Sequence, residues 1–335
     1  MEPIPAIWRI DSEPDDFQPR SGRPPWAGFL AVADLVERLR GPVADRSGAP
    51  LRPTWFLRFD PDIERCYGRA DFAMDHYRAQ IDGFRAHGDP LGIHVHYYRW
   101  DGGRGVSYSD HADTAWATHC LETSVHMFER CFGERPRRMS QGGYFLSDAV
   151  VDRGSALGIE VDVTAEPGLP AQNHGETLGA YATAPTPDFR QYPRRPYYPS
   201  RAQLGSPARA ADDARPILIV PLTAYDYART FTPWPKRLAK SILGRRYHHL
   251  PLNPWKEWPS PDTFWDLVAR AADEGPARYV ALAIRTDSPD SEPHLRARAL
   301  FEHLPSHPIS RRLRFVDPLS SEIRALAEVP VPGGR

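Results

Sequence analysis

The sequence predicts an α/β fold in which seven parallel strands curl into a closed or nearly closed barrel. Two observations support this prediction. Short runs rich in β-branched and aromatic residues recur along the chain, and segments of helical periodicity lie between most of them. This alternation is typical of parallel strands joined by crossover helices. No internal repeat or interdomain linker interrupts the 335 residues, so we expect a single domain over 1–335.

The predicted strands are short apolar runs, at 6–11, 53–59, 91–96, 137–141, 159–164, 216–222 and 278–286. The predicted helices carry apolar residues at intervals of three and four, at 27–40, 71–87, 112–132, 147–157, 262–273, 292–303 and 319–328. In a parallel barrel the carboxyl ends of all strands meet at one face, and active sites form there. Functional residues are therefore expected just after the predicted strands.

Two long insertions, at about 165–215 and 226–261, break the alternation of strands and helices. The first is rich in Pro, Gly, Arg and Tyr. Structureless stretches of this length inside a compact domain are usually functional or partly disordered. Both follow predicted strands, which puts them at the carboxyl face of the barrel. We predict that they form the walls of a substrate-binding site.

Composition excludes several classes of protein. The formal net charge of −1 and the pI near 6.9 give no general attraction to nucleic acid, so no nucleic-acid partner is expected. Cys66, Cys120 and Cys131 show no CxxC spacing, and the chain has neither an export segment nor a long apolar run. A reduced, cytoplasmic protein is expected. The basic amphipathic segment 236–247 is either a solvated helix face or a peripheral membrane contact.

The residues that carry chemistry lie in two predicted strands. His94 and His96 are two residues apart, so their imidazoles project from the same face of a strand and can share one metal ion. Asp11 and Glu13 have the same spacing at the end of the first strand. One carboxylate and two imidazoles, with positions left open to water, are the minimal ligand set of a hydrolytic metal site.

Each cluster also has an ordinary structural explanation. Asp11, Glu13, Asp15 and Asp16 could form an acidic loop or helix cap. The two histidines could simply be hydrogen-bonded in the barrel core. Both clusters, however, fall at the predicted carboxyl ends of strands in one fold, and crowded carboxylates need a cation or arginines to neutralise them. This coincidence favours a metal site.

The chain resembles the polysaccharide deacetylases of the NodB-homology type. The resemblance lies in the order of short motifs: Ile10-Asp11-Ser12-Glu13, Thr54-Trp55-Phe56-Leu57, Gly92-Ile93-His94-Val95-His96, Gly133-Glu134-Arg135-Pro136, Gly142-Gly143-Tyr144 and Gly158-Ile159-Glu160-Val161-Asp162. It covers most of 6–164 and continues more weakly through 196–199 to 279–287. The resemblance implies an irregular (β/α)7 barrel that removes acetyl groups from sugars with a divalent metal, most often zinc.

The resemblance also implies roles for single residues. Asp11 corresponds to the general base, Glu13 to the metal-binding carboxylate, and His94 with His96 to the metal-binding histidines. The expected substrate is an acetylated saccharide or a lipid- or nucleotide-linked sugar. Candidate substrate-binding residues are Arg58, Trp100, Gly143, Tyr144 and His174. Arg58 could instead form a structural pair with Asp60 at the end of the second strand.

Three positions depart from the family pattern. The family usually spaces its histidines four residues apart, but position 98 is Tyr, so this chain would use a variant HxH motif. Ser140 stands where an arginine commonly orients the base. Arg285 stands in place of the histidine that protonates the leaving group, and arginine cannot act as a general acid near neutral pH.

Arg285 is therefore predicted to be a catalytic residue, but the group that donates the proton to the leaving group is not identified. Its guanidinium could instead bind an acidic group of the substrate or pair with Asp287. Two other functions stay open. One is a catalytically impaired saccharide-binding relative, and the other is a different enzyme, either a metal-independent C–N hydrolase on the same barrel or a non-haem iron oxygenase.

Overall fold

The protein is described from a computed structural model that covers residues 2–15, 26–172, 182–227, 235, 249–287 and 289–327. The predicted substrate-binding residue His174 and the basic segment 236–247 lie outside the described residues.

The strands in chain order are β1 (Ile4–Asp11), β2 (Thr54–Arg58), β3 (Leu91–Val95), β4 (Tyr98–Asp101), β5 (Val106–Ser109), β6 (Arg138–Gln141), β7 (Val161–Asp162), β8 (Leu218–Ile219), β9 (Ala224–Tyr225), β10 (Leu250–Pro251), β11 (Val280–Arg285) and β12 (Leu313–Phe315). The α-helices are α1 (Ala27–Ser47), α2 (Pro61–Tyr67), α3 (Phe72–His76), α4 (Arg78–Ala86), α5 (Thr114–Phe132), α6 (Asp148–Ala156), α7 (Pro261–Glu274), α8 (Glu292–His303) and α9 (Ser321–Ala325). Short 3-10 turns lie at Gly142–Tyr144, Phe189–Gln191, Leu304–Ser306 and Pro308–Arg311.

Seven parallel strands form the curled main sheet in the order β11, β1, β2, β3, β6, β7, β8. A further short strand, β12, pairs with the start of β1. The gap between β8 and β11 is bridged just after β8, where the Thr223 N–H donates to the Ala281 carbonyl at 2.8 Å. The predicted α/β class and (β/α)7 barrel are confirmed.

Strand β1 shows how the core is divided. Trp8 faces the helices and stacks on Phe301 of α8, with ring centroids 4.1 Å apart. Ile7 points the other way, into an apolar cluster inside the barrel that includes Phe56. Arg9 and Asp11 share the face of Ile7 because side chains alternate along a strand. An apolar plug thus fills the base of the barrel, and polar side chains lie above it.

Helix α1 covers the start of the barrel and explains part of the acidic cluster. Its buried residues recur every three or four positions, as expected for a helix with one face on a sheet. The carboxylate of Asp15 accepts hydrogen bonds from the N–H groups of Ala27 (2.9 Å) and Gly28 (3.0 Å). Asp15 therefore stabilises the amino end of α1, as the capping alternative predicted.

The predicted elements agree with the observed ones except at their ends and in short connections. The predicted helix 71–87 is divided at Tyr77 into α3 and α4. The predictions omit helix α2, the hairpin of β4 and β5, and strand β12. Residues 201–215, part of an insertion predicted to be structureless, carry the buried Arg215, which pairs with Asp148 and Asp152. None of the described helices is long and apolar enough to cross a membrane.

Candidate metal and catalytic site

Three buried side chains converge at the carboxyl ends of β1 and β3. The Glu13 Oε1 atom lies 3.1 Å from His94 Nε2 and 3.0 Å from His96 Nε2, and the two Nε2 atoms are 3.0 Å apart. A tetrahedral ion about 2.0–2.2 Å from each ligand would separate neighbouring ligand atoms by roughly 3.3–3.6 Å, slightly more than is found here. The donor set fits a divalent metal and its spacing is close to that value, and Glu13, His94 and His96 are the residues that would hold it.

Neighbouring groups orient both imidazoles. His94 Nδ1 lies 3.2 Å from the Ser140 carbonyl and 3.1 Å from its Oγ, so a proton on Nδ1 leaves the lone pair of Nε2 directed at Glu13. His96 stacks on Tyr98, with ring centroids 4.7 Å apart. A Cβ at Gly142 would lie only 2.2 Å from His96 Nε2. Only glycine fits at position 142 without moving the imidazole.

The charges of Glu13 and His96 suit a metal site. Burial alone would raise the pKa of Glu13, but the imidazoles of His96 and His94 hold it well below its ordinary value. Burial lowers the pKa of His96 to about 4, against the opposing effect of Glu13. Glu13 is then ionised and His96 neutral near pH 7, which are the forms that bind metal ions.

Arg58 supports this site from behind instead of lining the cavity. Its side chain is completely buried and donates to the second oxygen of Glu13 at 3.1 Å. It also donates two 2.8 Å hydrogen bonds to Asp60. Burial would lower the pKa of Arg58, but Asp60 and Glu13 raise it well above its ordinary value, so the guanidinium stays charged. Arg58 is not among the residues that line the cavity, and it orients Glu13 instead.

Asp11 lies beside the three potential ligands. Its Oδ1 accepts a 2.8 Å hydrogen bond from Ser140 Oγ and lies 3.6 Å from His94 Nδ1. The Arg9 Nε donates to both carboxylate oxygens, at 2.8 and 2.9 Å. Burial would raise the pKa of Asp11, but Arg9, His94 and Ser140 lower it below its ordinary value. Asp11 is therefore held as a carboxylate.

Arg9 is a site residue that the sequence predictions missed. The family pattern has an arginine at the position of Ser140, but in this chain the guanidinium beside Asp11 comes from the same strand as Asp11. Arg9 is only 6% exposed, and its Nη1 donates to the Val163 carbonyl at 2.9 Å. Its position two residues before Asp11, on the same strand face, was the available signal.

These groups open into a cavity of about 500 Å³. Of the predicted site residues, Asp11, Glu13, His94, His96, Gly143, Tyr144 and Arg285 line it. Gly143 and Tyr144 both have positive φ, at 61° and 56°. Positive φ is uncommon for a residue other than glycine, and strained backbone of this kind is often found at functional sites.

Trp100 and Arg285 differ in their relation to the cavity. Trp100 is on hairpin strand β4, outside the cavity wall, and its ring lies 4.9 Å from the Arg65 guanidinium carbon. Arg285 is on the wall, with its side chain 48% exposed, and its Nε lies 3.2 Å from Asp287. Its guanidinium carbon lies 5.4 Å from the Trp255 ring. The predicted Asp287 pair is therefore present, and Trp100 does not contribute to the described cavity.

Both insertions contribute to the cavity wall. The insertion 226–261 supplies the continuous run 251–255, and 165–215 supplies Glu166. Glu166 is 7% exposed, and burial raises its pKa to about 7 against the opposing charge of Arg9. The predictions did not single out Glu166, because nothing in the periodicity of that Pro- and Gly-rich stretch marks it.

Comparisons with known proteins find similarity in structure only. No family model matches the chain, and no curated protein matches it in sequence. A solved structure from Parabacteroides distasonis, provisionally described as a glycoside hydrolase/deacetylase, has a TM-score of 0.57 at 14% identity, covering 94% of this chain and 69% of that one. A provisionally described polysaccharide deacetylase from Mycobacterium smegmatis has a TM-score of 0.48 at 12% identity, covering 100% and 95%.

At such low identity, similarity shows the fold and not the reaction. The chain has the irregular (β/α)7 barrel that the resemblance to polysaccharide deacetylases implied, so that resemblance is confirmed at the level of fold.

Proposed function

We propose that this protein is a divalent-metal-dependent hydrolase that removes an acetyl group from an N-acetylated sugar or sugar conjugate. One observation carries the proposal: Glu13, His94 and His96 converge within hydrogen-bonding distance of one another, and a buried Asp11 carboxylate lies beside them in an open cavity. The potential metal ligands, the potential base and the cavity for a substrate are thus adjacent. When bound, a divalent ion supplies Lewis-acid polarisation of the acyl carbonyl and acidifies water.

The other residues have distinct roles in this proposal. Asp11 accepts the proton of the attacking water, and its hydrogen bonds from Arg9 and Ser140 fix the carboxylate in one orientation. The His94 Nδ1 atom, 3.6 Å from Asp11 Oδ1, ties the base to the ligand set. Backbone N–H groups at the turn of Gly143 and Tyr144, on the cavity wall, are candidates to stabilise the developing oxyanion.

The proposed sugar substrate is supported by the shape and lining of the cavity. A volume of about 500 Å³ accommodates a saccharide unit with its acyl group. Tyr98 and Trp255 line it, and aromatic rings can pack on the apolar faces of sugars. Zinc as the metal, a lipid or nucleotide linkage of the sugar, and a cytoplasmic location stay predictions.

A specific observation keeps saccharide binding without catalysis as a second candidate. Among the described residues of the cavity wall, His94 and His96 are the only histidines, and both belong to the proposed ligand set. The usual imidazole proton donor of the family has no counterpart on this wall. Either another group donates the proton or the protein binds sugars without hydrolysing them.

The test compares wild type with Asp11→Asn, each loaded with Zn²⁺, Co²⁺ or Mn²⁺. Acetate release is measured from N-acetylglucosamine oligosaccharides and from an aryl acetate. The amide cannot accept a proton, so acetate release should fall at least about 100-fold with both substrates. Metal content should be unchanged, because Asp11 is outside the ligand set. Absence of acetate release by wild type with every metal, together with saccharide binding, would favour the second candidate.

A further inference from the structure

We propose that Glu166 is the proton donor to the leaving amine, a role that a histidine at another position has in the deacetylases this chain resembles. The inference rests on the proposed function and adds the acid that the reaction needs. It starts from the position of Glu166 on the same cavity wall as Arg9 and Asp11, at 7% exposure.

The backbone on both sides of Glu166 is firmly held. The Val163 carbonyl accepts from Arg9, and the Ala165 carbonyl accepts from the Leu222 N–H at 2.8 Å. The Glu166 carbonyl itself accepts from the Leu169 N–H at 3.1 Å. A side chain carried by fixed backbone has a fixed origin, as a positioned acid requires.

Among the described acidic residues of this wall, Glu166 is the one with neither an ion pair nor a place in the ligand set. Asp11 is held by Arg9 and Ser140, Glu13 belongs to the ligand set, and Asp287 pairs with Arg285. Within the part of the chain that the structure describes, no hydrogen bond is seen to the carboxyl of Glu166. It can therefore direct its proton to a substrate in the cavity.

Tyrosines on the wall are poorer donors. Burial raises the pKa of Tyr98 above its ordinary value. The charge of Glu166, followed by burial, raises the pKa of Tyr144. A phenol that holds its proton this tightly transfers it less readily to a departing amine near neutral pH. Arg285 has no proton to give in this range.

The surroundings of Glu166 set its protonation near neutrality. Burial raises its pKa to about 7, while Arg9 opposes the rise, Asp11 adds to it, and Lys256 and Arg285 oppose it. Tyr144 is the remaining titratable group coupled to it. A folded pKa above the ordinary value means that the acid is protonated below about pH 7 and loses its proton above. An acid is most effective when its pKa is near the working pH.

The proposed step balances. Water adds its oxygen to the acyl carbon as Asp11 takes one proton. The C–N bond then breaks, the nitrogen keeps the bonding pair, and that pair takes the proton of Glu166. Acetic acid and a free amine result, Glu166 becomes a carboxylate and Asp11 is protonated; the acetic acid then loses its proton to solvent as acetate. Transfer of the Asp11 proton to Glu166 through solvent restores both groups.

The experiment compares two leaving groups. An amine must receive a proton as it leaves, whereas an aryl oxide leaves without one. Wild type, Glu166→Gln and the exposed control Glu134→Gln are loaded with the same metal. With N-acetylglucosamine oligosaccharides, kcat should fall about 100-fold or more in Glu166→Gln. With 4-nitrophenyl acetate it should change less than about threefold, because that leaving group departs unprotonated. Glu134→Gln should match wild type with both substrates.

A second readout does not depend on activity. Carboxyl titration of the metal-free protein by infrared difference spectroscopy should show a group with a midpoint near pH 7 in wild type. The same signal should be missing from Glu166→Gln and present in Glu134→Gln. Glu166→Asp keeps the acid on a shorter side chain and should recover part of the activity lost in Glu166→Gln.

The outcomes separate the two proposals. Equal losses with both substrates, or no titrating group near pH 7, would overturn the role of Glu166 while leaving metal-dependent hydrolysis standing. A wild type that hydrolyses only the aryl acetate would also overturn it, because no amine then leaves. Wild type inactive with every metal and both substrates would overturn the proposed function, and the inference with it.

Discussion

Two regions of the cavity wall, the side of the base Asp11 and that of Glu166 and Arg285, are built differently. On the side of the base, Asp11 accepts hydrogen bonds from two buried groups, Arg9 and Ser140, at 2.8 Å each. In the other region, Glu166 lies beyond the end of strand β7 and Arg285 is the last residue of β11. The side chain of Arg285 is half exposed. The comparison teaches that a base that must rest as a carboxylate is surrounded by fixed hydrogen-bond partners. A group that rests protonated or meets a substrate has fewer such partners.

The largest effect should come from removing the partner of the base. Arg9→Met leaves the Asp11 carboxylate buried without its guanidinium. Breaking a buried ion pair from one side costs about 3–5 kcal/mol of unfolding free energy. Chemical denaturation at pH 7 measures this loss. The matched control, Arg9→Met with Asp11→Leu, removes both charges and should recover most of the stability. A loss below about 1 kcal/mol would show that the base side is not specially fixed.

The smallest effect should come from the exposed pair on the other side. Arg285→Gln removes an ion pair whose guanidinium side chain is 48% exposed. Exposed pairs contribute about 0–1 kcal/mol, so the unfolding free energy should hardly change. Measured in the same denaturation series, a loss as large as that of Arg9→Met would erase the difference between the two sides.

The sequence predicts the residues on regular strands better than those in the irregular segments. Glu13, His94 and His96 come together as predicted because strand alternation puts residues two apart on one face. Arg9 obeys the same rule but was passed over, since the arginine was sought where the family usually carries it. Of the two expectations for Arg58, the structural pair with Asp60 at the same strand end is the one observed.

The rest of the wall depends on packing that no local pattern encodes. Glu166 reaches the cavity because the segment after β7 is held by a hydrogen bond from the Leu222 N–H to the Ala165 carbonyl. Leu222 lies just after β8, more than fifty residues further along the chain. The Pro- and Gly-rich insertion around it carries no periodicity that predicts this contact. Helix α2 was predictable, because Asp60 caps its amino end and Pro61 occupies its first position.

The most direct test of the account is metal content. Elemental analysis of metal-supplemented wild type should give about one divalent ion per chain, and His94→Ala and His96→Ala should both lose it. The control is His87→Ala, which removes an exposed imidazole outside the cavity and should leave the metal content unchanged. Wild type without metal, or metal retained in both His94→Ala and His96→Ala, would contradict the proposed metal centre.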